Sequence, residues 1–329
     1  MKPFLLGILS GALKPLSKFA ISPKMLFYIL KRVLLSLLTI WIVITVTFFV
    51  MHAVPGNPFA GEKAITAEAQ AALEAKFGLD KPLPQQYLDY LSDVVFRFDF
   101  GPSMKLRGRQ VIDVIMDGMK TSAVLGLIAA ASACVVGITL GAVAALRRNT
   151  LLDKVIMVIT TAFVSMPSFI TGTFMLLIFS VWLRLVPANG ATTAGLILPV
   201  ITLALYPMAY ITRLTRSSML DVLGQDYIRT ARAKGVPAWK IIFGHALKNS
   251  LIPVITYIGP MLAFIVTGSL VVEQIFAVPG VGREFVSSIT NRDYTLILGT
   301  TIFLATLIVI MNLVSDLLYK VVDPRIEFD

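Results

Sequence analysis

The sequence predicts an all-α polytopic membrane protein with six transmembrane helices and both termini in the cytosol. Three observations carry this. Of the 329 residues, 57% are hydrophobic and only 15% are charged, with a mean hydropathy of +0.82, so a soluble fold would lack the polar surface to cover its core. Six stretches contain no Asp, Glu, Lys or Arg and are long enough to cross a bilayer, which takes about 20 helical residues; they lie near 33–51, 121–146, 155–183, 195–212, 249–272 and 294–315. Bases crowd the loops after spans two and four, with Arg147, Arg148 and Lys154 in one and seven more between Arg213 and Lys248 in the other. Cytosolic loops collect such bases, which fixes the N-in, C-in orientation. The net charge of +10 follows from that orientation and calls for no nucleic-acid partner.

Residues 1–24 read as a cytosolic or interfacial extension. Lys2 precedes a short apolar run, but Lys14, Pro15 and Lys18 follow at once, which fits an amphipathic helix on the inner face better than a signal peptide. The first span occupies 25–53 and ends at VPGNPF. The outer segment, 54–120, is the only one large enough to fold by itself. Within it TAEAQAALEAKFG predicts a helix stopped by Gly78, and LPQQYLDYLSDVVF a second one introduced by Pro82 and Pro84. We expect a small helical cap over the outer mouth, acting either as a spacer or as a docking surface. Residues 121–322 hold the remaining spans, and 323–329 form a cytosolic tail.

In the second span Ala129, Ala133, Gly137, Gly141 and Ala145 recur every fourth position, a small-residue face that lets another helix approach closely. Pro167, Pro207 and Pro260 each fall within a span, as does Pro253; each removes a backbone donor and predicts a bend or hinge, making the first three candidates for a pathway that moves. In the last span Asn312 and Asp316 share a face. An aspartate in a span costs about 2.5–3.5 kcal/mol on insertion scales, so Asp316 either faces a pathway or neighbouring helix, or pairs with Lys320 at the interface. Cys134 is the only cysteine, and His52 and His245 are the only histidines, so neither an intrachain disulfide nor a metal or catalytic site of the usual kind is expected. His52 reads as a membrane-end residue facing headgroups.

The segment 213–248 is too regular for a loose loop. No proline interrupts Leu214 to Lys234, which predicts a helix running through Gly224. Gly235 then sits where a helix end needs a left-handed backbone, and Pro237 where a new helix can begin. Trp239, Ile242, Phe243 and Ala246 fall at i, i+3, i+4 and i+7, predicting an amphipathic helix on the cytosolic face that suits a partner's groove.

RTARAKG followed by HALKNSLIP resembles the EAA loop of the membrane subunits of binding-protein-dependent ABC importers, in the form of the peptide-importing branch. Arg229, Thr230 and Ala231 match the EAA positions and Gly235 the family's glycine. His245 to Lys248 stand where the general pattern has Ile-x-Leu-Pro, and the proline comes later, as Pro253, which is usual in that branch. From about Met25 the resemblance covers nearly the whole chain: VPGNPFAGEK, FDFGPS at 98–103, ITRLTRSSML at 211–220, VVEQIFAVPGVGREF at 271–285, NRDYTL at 291–296 and DPRI at 323–326 are similar to the B-type permeases of oligopeptide systems.

That resemblance implies a type I ABC importer permease fold in a bacterial cytoplasmic membrane. It implies a complex with a second permease chain, two ATPase subunits and an extracytoplasmic peptide-binding protein. Arg229, Thr230, Ala231, Gly235, Val236, Pro237, Trp239 and His245 would then couple the chain to an ATPase. No G-x-x-x-x-G-K-[ST] phosphate loop occurs, so no cofactor is expected in this chain, and ATP and Mg would sit on the ATPase subunits. Alternating access is the expected mechanism. The outer turn, with Glu273, Pro279, Gly280, Gly282 and Arg283, either contacts the binding protein and gates the mouth or is a plain loop. Import of dipeptides, nickel, haem or glutathione fits the same motifs. A stand-alone secondary transporter or channel would need an ionisable relay, for which Asp316 is the sole candidate; a membrane scaffold without transport is the third class.

Overall fold

The computed structural model describes residues 23–53, 59 and 67–322. The expectations for the N-terminal extension before Pro23, the VPGNPF turn apart from Phe59, and the tail 323–329 lie outside the described residues. The named elements are all helical. In chain order they are α1 (Pro23–Ala53), α2 (Ala67–Lys76), α3 (Leu83–Ser92) with a π turn at Asp93–Arg97, and α4 (Val111–Leu146). Next come α5 (Leu151–Ser165), α6 (Ser168–Met175) with a π-helical extension Leu176–Trp182, α7 (Ile197–Leu223) and α8 (Asp226–Ala233). A π-helical segment Lys240–Leu247 leads through Lys248–Ser250 into α9 (Ile252–Ile275), α10 (Val281–Asn291) and α11 (Tyr294–Val322).

Four stretches, 27–53, 111–146, 194–223 and 294–315, are single helical runs long and apolar enough to cross a membrane, and two bent pairs bring the crossings to as many as six when each pair is counted as one broken span. The bends differ from expectation in an instructive way. Pro167 lies between α5 and α6 as the residue before the first turn, not inside a helix, and the chain turns there by 108°. The preceding Met166 is extended (φ −90°, ψ 126°), as a residue before proline must be. Pro253 likewise starts α9, beyond a 45° bend, while Pro207 and Pro260 lie inside α7 and α9.

Several helices overrun their predicted limits, α4 and α7 with consequences for the site. α4 has 36 residues and is about 54 Å long at 1.5 Å per residue, well over the roughly 30 Å hydrocarbon thickness. Its first turns therefore stand outside the membrane, where Asp117 pairs with Arg109 at 2.7 Å. α7 continues past residue 212 to Leu223, carrying Arg213 and Arg216 beyond the cytosolic face.

The core is centred on α4 against α7, with α9 closing one side. Ala129, Ala133, Gly137, Gly141 and Ala145 are all buried, and the glycines are required by space. A Cβ on Gly137 would lie 2.8 Å from the Met208 carbonyl oxygen, and one on Gly141 2.6 Å from that of Thr212. Leu125 of α4, Leu203 and Ile211 of α7, and Met261, Ile265 and Val272 of α9 fill the same cluster.

On the outer side α2 ends before Gly78 (φ 67°), and α3 starts behind Pro82 with Pro84 in its first turn. These helices fasten to the outer ends of α1 and α11: Tyr87 and Tyr90 pack on Phe48, beside Tyr294 and Leu298. The Tyr87 hydroxyl meets that of Thr45 at 2.8 Å. His52 belongs to this aromatic cluster and is half-buried against Phe48 and Tyr294, with Nδ1 2.8 Å from the Phe48 carbonyl, so it does not face headgroups as expected.

Candidate functional site

The cytosolic segment between α7 and α9 gathers the residues singled out from the sequence. The helix expected to pass through Gly224 breaks there, because Gln225 is extended (ψ 149°) and starts α8 afresh. α8 is short and amphipathic, and it holds itself down by burying Ile228. Arg229 and Thr230 lie exposed on α8; Arg229 pairs with Asp226 at 3.5 Å, and the Thr230 hydroxyl donates to the Asp226 carbonyl at 3.0 Å.

The end of α8 is a Schellman motif. Val236 N donates to the Ala231 carbonyl at 3.1 Å and Gly235 N to that of Arg232 at 3.0 Å. Gly235 has φ +74°, and a Cβ there would meet nothing within 4 Å. The glycine is thus required by its backbone angle and not by crowding within this chain. Pro237 restarts the helix: its carbonyl accepts from Lys240 N and Ile241 N.

From Lys240 to Leu247 the winding is π-helical, which changes which side chains share a face. The i→i+5 winding places Ile241 and Ala246 together, and both are buried, Ala246 against Met219 and Ala145. The apolar stripe expected from α-helical spacing is therefore split. Ile242 and Ala246 pack inward, whereas Trp239 and Phe243 stand 60% and 64% exposed. Lys240 Nζ lies 5.5 Å from the centre of the Trp239 ring, and His245 and Pro237 are exposed nearby in sequence, with Val236 half-buried. Asn249 Nδ2 donates to the Tyr227 hydroxyl at 2.9 Å, tying α8 to the start of the next crossing. The outcome is a fixed turn carrying two large exposed apolar side chains among bases.

One element of this region went unseen in the sequence. Arg216, near the cytosolic end of α7, forms a bidentate pair with Asp153 at 2.6 and 2.8 Å. Asp153 is buried and also accepts from Asn149 N at 2.9 Å. The pair fastens the helix leading into the exposed turn to the first turn of α5. The available signal was a lone acid among Arg147, Arg148 and Lys154.

The outer turn is organised from inside. Glu273 is fully buried and accepts from Ser122 Oγ of α4 at 2.7 Å, from Gly282 N at 2.8 Å and from Arg283 N at 3.2 Å. Its carboxylate thus caps the start of α10 while binding α9 to α4. A Cβ on Gly280 would fall 2.3 Å from Glu273 Oε2, and one on Gly282 2.7 Å from Leu270 Cα. This corrects the expectation that Glu273, Gly280 and Gly282 face a binding protein, since all are interior. Pro279 alone of the five is exposed; Arg283 is half-buried and donates to the Ala277 carbonyl at 3.1 Å.

A second buried acid works the same way. Asp293, ahead of α11, accepts from the Ser103 hydroxyl, from Met104 N and Lys105 N at 3.2 Å each, and from Leu296 N at 3.1 Å. It joins FDFGPS to NRDYTL, two motifs 190 residues apart at the bonded pair. Of the pathway candidates, Pro207 is buried in α7, whereas Pro260 and Asn312 are exposed on α9 and α11. Asp316 lies in α11, and its side chain is outside the described residues.

Residues 137–328 match the family described as "Binding-protein-dependent transport system inner membrane component", and residues 25–125 match its N-terminal companion. The chain is 46% identical over 301 residues to the dipeptide transport system permease protein DppB of Bacillus subtilis, covering 91% of this chain and 97% of that one. It is 43% identical to the oligopeptide transport system permease protein OppB of Haemophilus influenzae and 41% to that of Escherichia coli, covering 92% of this chain and 100% of each relative. Among solved structures, a chain of the inward-facing MetNI methionine ABC transporter superposes with a TM-score of 0.52 at 17% identity, covering 64% of this chain and 97% of that one.

Proposed function

The chain belongs to the family of binding-protein-dependent transport system inner membrane components, and on that footing we propose that it forms half of the translocation pathway of an ATP-driven peptide importer. It is a membrane-spanning permease of the type I ABC importer fold, with no catalytic chemistry of its own. It works within a multi-subunit transport system of the inner membrane. The other members in this reading are a second homologous permease, two ATPase subunits holding ATP and Mg, and an extracytoplasmic peptide-binding protein.

The observation that carries the coupling role is the exposed pair Trp239 and Phe243 on the turn that Gly235 fixes. A ligand shifts a conformational equilibrium only through different contacts in its two states. An ATPase cleft that closes on ATP supplies such a difference if these two rings sit in it. The force then passes up α7 and α9, the helices that flank the turn directly, and through Arg216–Asp153 to α5. At the outer end the Glu273 and Asp293 hydrogen bonds hold α4, α9, α10 and α11 as one body that opens to receive a peptide from the binding protein.

Peptides of two lengths fit. The sequence motifs favour oligopeptides, whereas the 46% identity to a dipeptide permease favours the shorter substrate. The test is reconstitution of the whole complex in proteoliposomes with its binding protein and ATP. Labelled peptide should accumulate, and the W239A/F243A double variant should insert normally but lose peptide-stimulated ATP hydrolysis. ATP-dependent uptake unchanged in that variant overturns the coupling role. Competition between dipeptides and pentapeptides separates the two substrate classes.

A further inference from the structure

In the cytosolic half of their crossings, α7 and α9 carry two aromatic pairs with tilted rings. Tyr206 lies on Phe264 with ring centres 4.7 Å apart, and Tyr210 on Tyr257 with centres 4.3 Å apart. Tyr206 and Tyr210 are one turn apart on α7, and Tyr257 and Phe264 two turns apart on α9, so the pairs form a strip along the membrane normal. The strip is at the surface of this chain: Tyr210 is 40% and Phe264 37% exposed, while Tyr206 and Tyr257 are half-buried.

None of the hydroxyls of Tyr206, Tyr210 and Tyr257 has a hydrogen-bond partner among the described residues, although other hydroxyls of these helices, such as Thr212 and Thr256, bond a carbonyl of their own helix. Tyr210 lies close enough to the cytosolic interface to reach water, but Tyr206, a turn deeper, cannot turn its unpaired phenol to lipid tails without a penalty. It must meet water, a solute or another protein. The helices that bear them are the two that flank the cytosolic turn with Trp239 and Phe243, and each carries an internal proline beside the strip, Pro207 in α7 and Pro260 in α9. A surface placed to move with the turn, and freed from full helical bonding at that level, suits a pathway better than a fixed seam between subunits.

We propose that Tyr206, Tyr210, Tyr257 and Phe264 line the water-filled pathway and form the subsite over which a peptide slides. This rests on the peptide reading above. The chemistry suits a carrier of varied sequences. Phenol hydroxyls donate to and accept from the peptide backbone, which every peptide shares. Ring faces receive apolar side chains, and the absence of fixed charge sets no preference for peptide charge.

The test uses the full complex with Cys134→Ala, which removes the sole native thiol of this chain, and single cysteines at 206, 210 and 257, with labelling read on this chain alone. A charged, water-soluble thiol reagent should modify each of them. The rate should differ about tenfold between nucleotide-free and ATP-trapped states, and saturating transported peptide should slow it. Absence of modification in both states overturns the proposal, because a strip packed as a subunit seam would exclude the reagent in both. State-dependent modification that no peptide slows would keep the pathway assignment and sink the peptide reading. The Y206F, Y210F and Y257F variants keep the rings and so the fold; each should raise the peptide KM roughly threefold, as expected for one lost hydrogen bond.

Discussion

At the outer end, Glu273 and Asp293 lie inside the protein, and each collects hydrogen bonds from segments far apart in sequence. At the cytosolic end, Trp239 and Phe243 stand mostly exposed, and the space around Gly235 is empty. The two carboxylates of the outer end are thus satisfied within this chain, while the Tyr90 hydroxyl and His52 Nε2 are buried there without a hydrogen-bond partner among the described residues. The inner end leaves its large apolar side chains uncovered by this chain. Damage to the first should therefore be read as lost stability, and damage to the second as lost communication.

The contrast is most vulnerable at Glu273. Glu273→Ala orphans Ser122 and the amides of Gly282 and Arg283, at about 1–3 kcal/mol for each unsatisfied buried group. We expect the purified complex to lose several kcal/mol, seen as a large fall in unfolding temperature and in the amount of inserted chain. Normal stability would mean the outer end is not self-contained. Next comes Asp153→Asn, which leaves Arg216 without its charge partner at a cost of about 3 kcal/mol. Exchanging the two residues should recover part of this; no recovery would show that the site depends on more than the pair.

The double variant W239A/F243A makes the opposite case. It should leave the melting curve of the isolated chain unchanged while weakening ATPase binding by about 2 kcal/mol or more, measured by copurification at graded detergent. A lowered melting temperature would place the rings inside this chain's own stability and erase the contrast. The smallest effect belongs to Gly235→Ala. The left-handed angle alone costs about 1 kcal/mol, and nothing in this chain adds to it. A much larger loss of stimulated ATPase activity than this predicts would reveal that a docked subunit touches the Gly235 backbone.

The sequence shows those features whose cause is local. Gly78 and Gly235 stop helices because their own backbone must turn left-handed, and the Ala129–Ala145 stripe is visible because its period is that of a single helix. Legibility ends where the cause is distant or the winding irregular. KIIFGHAL looks the same whether wound with four- or five-residue bonds, so the inward turn of Ile241 and Ala246 was hidden. Glu273 reads as an exposed loop acid because its partner Ser122 is 151 residues away. The Asp153–Arg216 pair spans 63 residues, and charge counting uses both only to orient the chain.

The 108° break at Pro167 bears on how the chain is made. Its halves, Leu151–Ser165 and Ser168–Trp182, are each about 22 Å long, and neither alone spans the roughly 30 Å of hydrocarbon. Several groups that steady them come later in synthesis: Arg216 reaches Asp153 on one side, and Thr202 and Phe276 lie against Gly172 on the other. The third crossing therefore takes part of its support from α4, made before it, and the rest from helices made after it.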